Sequence, residues 1–364
     1  MMKEIYRVCS LLLFTILSLM SCSRTIKSSA YMLEKDTVSI HVGYAYLADY
    51  FQYTIEKIDG ETILSGYNYL TNSVDLFNLD KAEVIKSVVL QNEGPNEIVA
   101  PMSAHLFGVD SILIHGTYSI YLIDWNGRVI WEKEINTNGR TYSKSVFHYS
   151  KIIWEGEWIF FWKYPWSNLA ELTQDNFVVK YNLVTEELVD VPIYFNDEIK
   201  ADPNSYPEMW YPFIAKNSNG FVYGFPMTSN LYYYSESENR SFTYNIESTV
   251  NNQFASSKKN YPHITSYDYC QVAENYFPAL PIQGNDYLFR LHRLDRYDKN
   301  QKPSYYAMIV NKEFKIIQEF EIENGEIYFP YQSFSDGEGV YIPVKAEYTG
   351  ESNLVFHYFA LCTK

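Results

Sequence analysis

From about residue 36 to the C-terminus, apolar and polar positions alternate in short runs broken by Gly, Asn, Asp and Pro. No window carries three turns of apolar residues at helical spacing with caps at both ends, so the pattern predicts strands joined by turns. The runs recur as a unit. Its first member is a β-rich run introduced by Gly, Asp or Glu: Glu61–Ser65, Asp110–His115, Gly156–Phe161, Gly220–Gly224, Asp286–Arg290 and Glu338–Ile342. Its second alternates apolar and polar residues: Val74–Leu79, Ile120–Asp124, Phe177–Asn182, Leu231–Ser235, Tyr305–Val310 and Leu354–Phe359. In the first five units a turn and a further strand follow. Examples are Val84–Leu90, Phe314–Ile322, and Val129–Ile135 after the hairpin signal Asn126-Gly127.

Six recurrences at intervals of roughly 45 to 75 residues match a propeller blade enlarged by insertions. The predicted fold is all-β, a six-bladed antiparallel β-propeller forming a single domain over residues 36–364. After its second member the sixth unit runs out of chain, one strand short. Thr37–Val42, upstream of the first unit, has strand composition. Pairing it with the last blade closes the ring and removes both open edges. The alternative is seven blades, with Asn251–Asn275 supplying one, but that stretch lacks a clean strand triplet and is read as an insertion.

Asn72–Asp80, the strand Val84–Leu90 and the turn Glu93-Gly94-Pro95-Asn96-Glu97 resemble an uncharacterised lipoprotein family of Bacteroides-type bacteria, described only as a domain of unknown function. That family is similar to six-bladed propellers of the NHL-like kind, which often carry Gly-Pro-Gly-Glu at this turn; Asn96 replaces the second Gly. The resemblance covers most of the chain in rhythm and is specific between about Asn68 and Trp131. It implies the fold and an envelope address, and it brings no catalytic residues.

Composition agrees with a large β core. Of 364 residues, 47% are hydrophobic and 18% aromatic, with 35 Tyr, 22 Phe and 7 Trp, which favours strands and argues against disorder. The formal charge of −15 leaves no basic stripe to neutralise phosphates, so nucleic acid is not an expected partner. Adsorption to anionic lipid by charge is disfavoured for the same reason.

The N-terminus supplies an address instead. Lys3 and Arg7 precede an apolar stretch from Val8 to Met20, too short for a spanning helix and laid out as an export signal over residues 1–21. Leu19-Met20-Ser21-Cys22 resembles the lipobox of bacterial lipoproteins, which implies acylation of Cys22 and loss of the preceding segment. Two or three acyl chains, at about 0.8 kcal/mol per buried methylene, anchor a soluble domain firmly. Residues 22–35 are then a lipidated tether, and the membrane is a partner through those chains. The expected location is the outer membrane of the cell envelope. Ser23-Arg24-Thr25-Ile26-Lys27 is basic, whereas surface-exported lipoproteins of such bacteria resemble one another in acidic residues there, so the expected orientation faces the periplasm. Cys270 and Cys362 remain in an oxidising compartment, where pairing is open.

No reaction is declared by a motif. Ser nucleophile elbow, Gly-rich phosphate loop and His-Glu-x-x-His are all missing, and His115, His148 and His263 stand singly, so neither a metal nor a cofactor is expected. The strongest polar cluster is His292-Arg293-Leu294-Asp295-Arg296. His292 and Arg293 could serve a lyase, Arg gripping a carboxylate and His moving a proton, or belong to a solvated hairpin of compensating charges. Asp202 and Glu208 could serve glycoside hydrolysis if held at the right separation. They share a Pro-rich segment with Tyr206, Trp210 and Tyr211, which together with Trp166 are candidate aromatic binding residues for a sugar face or peptide side chain. The leading expectation is a binding or scaffold protein for a protein or glycan partner. The alternatives are an envelope polysaccharide lyase or hydrolase, and a sensory or structural role.

Overall fold

The computed structural model describes residues 31–43, 50–116, 119–134, 152–162, 176–195, 212–217, 219–250, 272–294, 302–322, 328–344 and 353–363. The chain divides into a compact unit of Leu33–Leu361, which carries the fold, and a minor unit of Met1–Met32 with Cys362–Lys364. Of the minor unit only Tyr31, Met32, Cys362 and Thr363 are described.

Six antiparallel sheets of four strands form a β-propeller, with almost no helix among the described residues. The first blade is β2 (Tyr50–Ile58), β3 (Glu61–Asn68), β4 (Ser73–Asn78) and β5 (Glu83–Val89). The second is β6 (Pro101–Phe107), β7 (Ser111–Gly116), β8 (Ser119–Asp124) and β9 (Val129–Glu134). The third is β10 (Ile153–Glu155), β11 (Trp158–Trp162), β12 (Asn176–Asn182) and β13 (Leu188–Tyr194). The fourth is β14 (Phe213–Asn217), β15 (Gly220–Gly224), β16 (Leu231–Ser235) and β17 (Arg240–Tyr244). The fifth is β18 (Asn275–Ile282), β19 (Tyr287–Arg293), β20 (Tyr305–Asn311) and β21 (Ile316–Ile322). The sixth runs β22 (Phe334–Ser335), β23 (Gly339–Pro343), β24 (Asn353–Thr363) and then β1 (Tyr31–His41).

The sixth sheet confirms the closure expected from the sequence: the N-terminal strand completes the blade that the C-terminus leaves short. Closure is also a packing event. Ile40, Tyr50, Tyr53, Phe77, Phe334 and Phe356 share one core between the first and last blades. Tyr53 meets Phe356 edge-on at 5.2 Å, and Gln332 Nε2 donates to the carbonyl of Tyr50 at 2.5 Å.

Burial explains the sequence rhythm. The two central strands of a blade are covered on both faces by neighbouring blades, so β4, β7 and β15 are buried from end to end, or nearly so in β3. The outermost strand has one covered face, and β9 alternates strictly as Val129, Trp131 and Lys133 turn inward. The innermost strands are what the sequence pattern does not reveal. β22 is two residues long, and β18 contains Pro278 and Pro281. An innermost strand is a sheet edge, where the missing proline N–H costs no ladder bond.

The two ends of the ring differ. One end holds tight turns. Each of five turns joining the third and fourth strands has, just before the closing strand, a residue in the left-handed region: Ala82 (φ 54°), Gly127 (78°), Glu186 (60°), Asn239 (51°) and Phe314 (55°). Side-chain oxygens cap these turns, as when Asp124 Oδ1 accepts from the N–H groups of Asn126 and Arg128 at 2.8 and 2.9 Å. The other end carries the long connections, among them residues 135–152, 163–175, 195–212 and 245–274.

The Gly94-Pro95 corner is structural, as its turn residues predict. Gln91 bridges Glu97, Ile98 N–H reaches the Gln91 carbonyl at 2.9 Å, and Asn96 Oδ1 accepts from Val129 N–H at 3.0 Å. The side chain that replaces the second glycine thus ties the corner to the start of β9. Trp154 lies on β10, stacked on Phe107 at 3.8 Å, while Trp158 on β11 packs against the core of the third and fourth blades.

Candidate functional site

At the long-connection end, the described strand termini carry an unusual load of buried polar groups. The densest set belongs to β19. Its residues Tyr287 to Leu291 read as an apolar run, yet Arg290 lies within it and is wholly buried. Its guanidinium is held by carbonyls. Nε donates to the Phe277 carbonyl at 3.2 Å, one terminal nitrogen to Thr228 O at 3.1 Å and the other to Ser229 O. The rings of Tyr276 and Phe213 lie at 4.8 and 5.4 Å from its central carbon. Burial lowers its pKa to about 9. Arg290 therefore staples the fifth blade to the turn that follows β15, and each arm of its fork is engaged.

His292 and Arg293 are the last two residues of β19 and are buried, not part of a solvated hairpin. The strand continues further than a charge cluster suggests, because these side chains find internal partners. His292 stacks on Tyr276 at 4.4 Å with 11° between planes, and its Nε2 lies 2.7 Å from Glu274 Oε1. Its Nδ1 has no hydrogen-bond partner among the described residues. Arg293 donates to the Ala273 carbonyl at 2.9 Å. A histidine oriented by a carboxylate has the form of a general base, but at 0% exposure this one offers no atom to a polymer in solution.

Two blades further round the ring, the first blade repeats the theme without a cation. Asp75 accepts from Tyr50 Oη at 2.7 Å, Ser73 Oγ at 2.9 Å and Ser87 Oγ at 2.6 Å. Burial first, and then the Asp75 charge, raise the Tyr50 pKa far above the ordinary tyrosine value. On β7, His115 is buried with neither ring nitrogen bonded among the described residues, and burial pushes its pKa down to about 4. Tyr328 Oη and His357 Nδ1 meet at 2.8 Å.

Of the other sequence candidates, Trp166, Asp202, Tyr206, Glu208, Trp210 and Tyr211 lie outside the described residues, as do Cys22 and Cys270. The described residues that flank them, Trp162, Tyr194 and Phe213, are strand ends at the same end of the ring as His292. Cys362 is half-buried near the end of β24. Sequence reasoning did not single out Arg290, Glu274 or Asp75. A charged residue within an apolar strand, as at Arg290, is the signal that could have found them. Among the described residues there is no group of three or more side chains placed to hold a metal ion.

The profile described as "Domain of unknown function (DUF4221)" matches residues 27–321, and the chain belongs to that family. A crystal structure of a family member from Bacteroides vulgatus is similar over 93% of this chain and 100% of its own, at 17% identity and a TM-score of 0.71. A Bacteroides fragilis protein, named as predicted for export, is similar over 91% of this chain and 95% of its own, at 12% identity and a TM-score of 0.55. Both likenesses speak to the fold. No curated protein matches the sequence.

Proposed function

We propose that this member of the DUF4221 family is a lipid-anchored envelope protein that holds a protein or glycan partner on the long-connection end of its ring, without catalysing a reaction. One observation carries the reading: the ring's two ends are built differently. The tight-turn end joins its strands through two to five residues. The other end carries long connections whose sequences hold Trp166, Tyr206, Trp210 and Tyr211. At that end of the ring Arg290, Arg293 and His292 are engaged internally, which stiffens a platform and keeps this acid–base pair from solvent. A rigid platform at the end that carries the long connections suits recognition.

The address rests on Leu19-Met20-Ser21-Cys22 and on the export prediction attached to the B. fragilis neighbour. Among the described residues no helix is long and apolar enough to cross a membrane. Acyl chains on Cys22 supply the membrane attachment, and the basic residues after it favour a periplasm-facing orientation.

The test is made on the full chain in its envelope. Cys22→Ser should abolish labelling by an alkynyl fatty acid and move the protein from the detergent phase to the aqueous phase. Cross-linking followed by pull-down should recover a reproducible partner that Trp166→Ala or Trp210→Ala loses. A blank pull-down together with a blank glycan array overturns the binding role. Depolymerisation of an envelope polysaccharide by the purified protein overturns the absence of catalysis.

A further inference from the structure

The groove between the fourth and fifth blades opens toward the tight-turn end, away from the platform just described. It encloses about 260 Å³. One wall is aromatic: Tyr233 on β16, Tyr244 on β17 and Phe314 in the turn after β20. Phe314 stacks on Tyr244 at 4.2 Å and 12°, and its ring lies 5.7 Å from that of Tyr233. The lining also holds neutral amides, Asn219 and Asn285 from first-to-second-strand turns. Asp286 and Lys312 stand on the rim and pair with each other at 2.5 Å.

Phe314 is the unexpected part. Its turn, Asn311 to Lys315, has the same design as Asp124 to Arg128 in the second blade. Both close on a carbonyl four residues ahead, Asn311 N–H to Lys315 O at 3.0 Å and Asp124 N–H to Arg128 O at 2.9 Å. Three-residue hairpin loops of this kind put a residue in the left-handed region, normally glycine. The second blade has Gly127 there, whereas the fifth has Phe314 at φ 55°. A bulky side chain in that region is a strained choice, at a cost of order 1–3 kcal/mol, and strain of this kind gathers at ligand sites. Three of the four equivalent positions carry Ala, Gly or Asn and the other Glu; of these five turns, only the one beside this groove carries a ring.

We propose that this groove binds one ring of a neutral saccharide. Aromatic faces take the apolar C–H face of a sugar, and amides take its hydroxyls. Among the described residues the side chains of Asn219 and Asn285 make no hydrogen bond of their own, so both are available. The volume lies just below the roughly 300–1,000 Å³ of small-molecule sites, which fits a single ring or the end of a chain. Because Asp286 and Lys312 cancel, the rim gives no preference to an anionic sugar. The groove is separate from the long-connection end, and a sugar bound here does not depend on the role given to that end.

The test is saturation-transfer NMR on the folded chain lacking its signal segment, with glucose, galactose, mannose, N-acetylglucosamine and galacturonate as probes. At least one neutral sugar should receive saturation from aromatic protons, and galacturonate should bind no more tightly. Phe314→Gly should weaken that binding about three- to tenfold, the worth of one aromatic contact; because the ring also packs on Tyr244, a melting curve accompanies the titration so that binding is read on folded protein. Tyr244→Ala should weaken it similarly. Silence from all four neutral sugars, a preference for galacturonate, or unchanged binding in both variants overturns the proposal. A partner lost only through Trp166 or Trp210 would leave it untouched.

Discussion

Two turns of identical design, Asp124–Arg128 and Asn311–Lys315, show how one end of this ring is governed by neighbours in sequence. Each is closed by an amide or carboxylate side chain and a left-handed residue, so the backbone path of each is set within five consecutive residues. The strand termini at the opposite end follow another logic. Arg290 is held by carbonyls more than 60 residues away in sequence, Thr228 and Ser229, and Asp75 by a tyrosine from the innermost strand of its own sheet. Short-range chemistry makes the tight-turn end modular. Long-range burial makes the other end cooperative, because no member of such a set can be removed without stranding the rest.

The sharpest way to break this contrast is Arg290→Met. Methionine fills the space but leaves the carbonyls of Phe277, Thr228 and Ser229 without donors in a buried site. We expect a loss of roughly 2–5 kcal/mol, read as a lower urea midpoint with an unchanged slope. An unchanged midpoint would mean that the staple contributes nothing.

Next in size is the acid response of His115. Its folded pKa lies near 4 and its unfolded pKa near 6.5, so the unfolded chain binds the extra proton between those values. Stability should therefore fall as pH drops from about 6.5 to about 4, by roughly 3 kcal/mol from this group. His115→Leu should flatten that part of the stability–pH curve by up to one proton relative to the natural chain. Denaturant titrations across the range measure the difference, and parallel curves would refute it.

The smallest effect belongs to the tight-turn end. Ala82→Gly, at a left-handed position within a local turn, should raise stability by less than about 1 kcal/mol, because relief of the left-handed cost slightly exceeds the added unfolded-state entropy. A thermal melt checks it. A drop of several degrees would show that this turn is tied to the core after all.

Much of the fold was legible. The second and third strands of every blade coincide with the apolar runs, since residues covered on both faces must be apolar regardless of which blade covers them. The closing strand at Thr37–Val42 was legible from a deficit, one blade lacking its last strand. The innermost strands were not, because β18 with its prolines and two-residue β22 carry no alternation. The candidate site was half legible. His292 and Arg293 stood out as a charge cluster, yet their burial depends on Glu274, Ala273 and Tyr276 from an adjacent strand and its approach. Arg290 was hidden inside an apolar run for the same reason.

By itself, then, the amino-acid order determined the second and third strands of each blade, the turn chemistry and the manner of ring closure. These follow from burial on two faces and from φ preferences within a few residues. Only the tertiary structure decided which polar side chains would be enclosed and which surfaces would face one another, including the juxtaposition of Phe314 with Tyr244 across two blades. Such contacts depend on the distance between chain segments in space, and a one-dimensional pattern carries no measure of that distance.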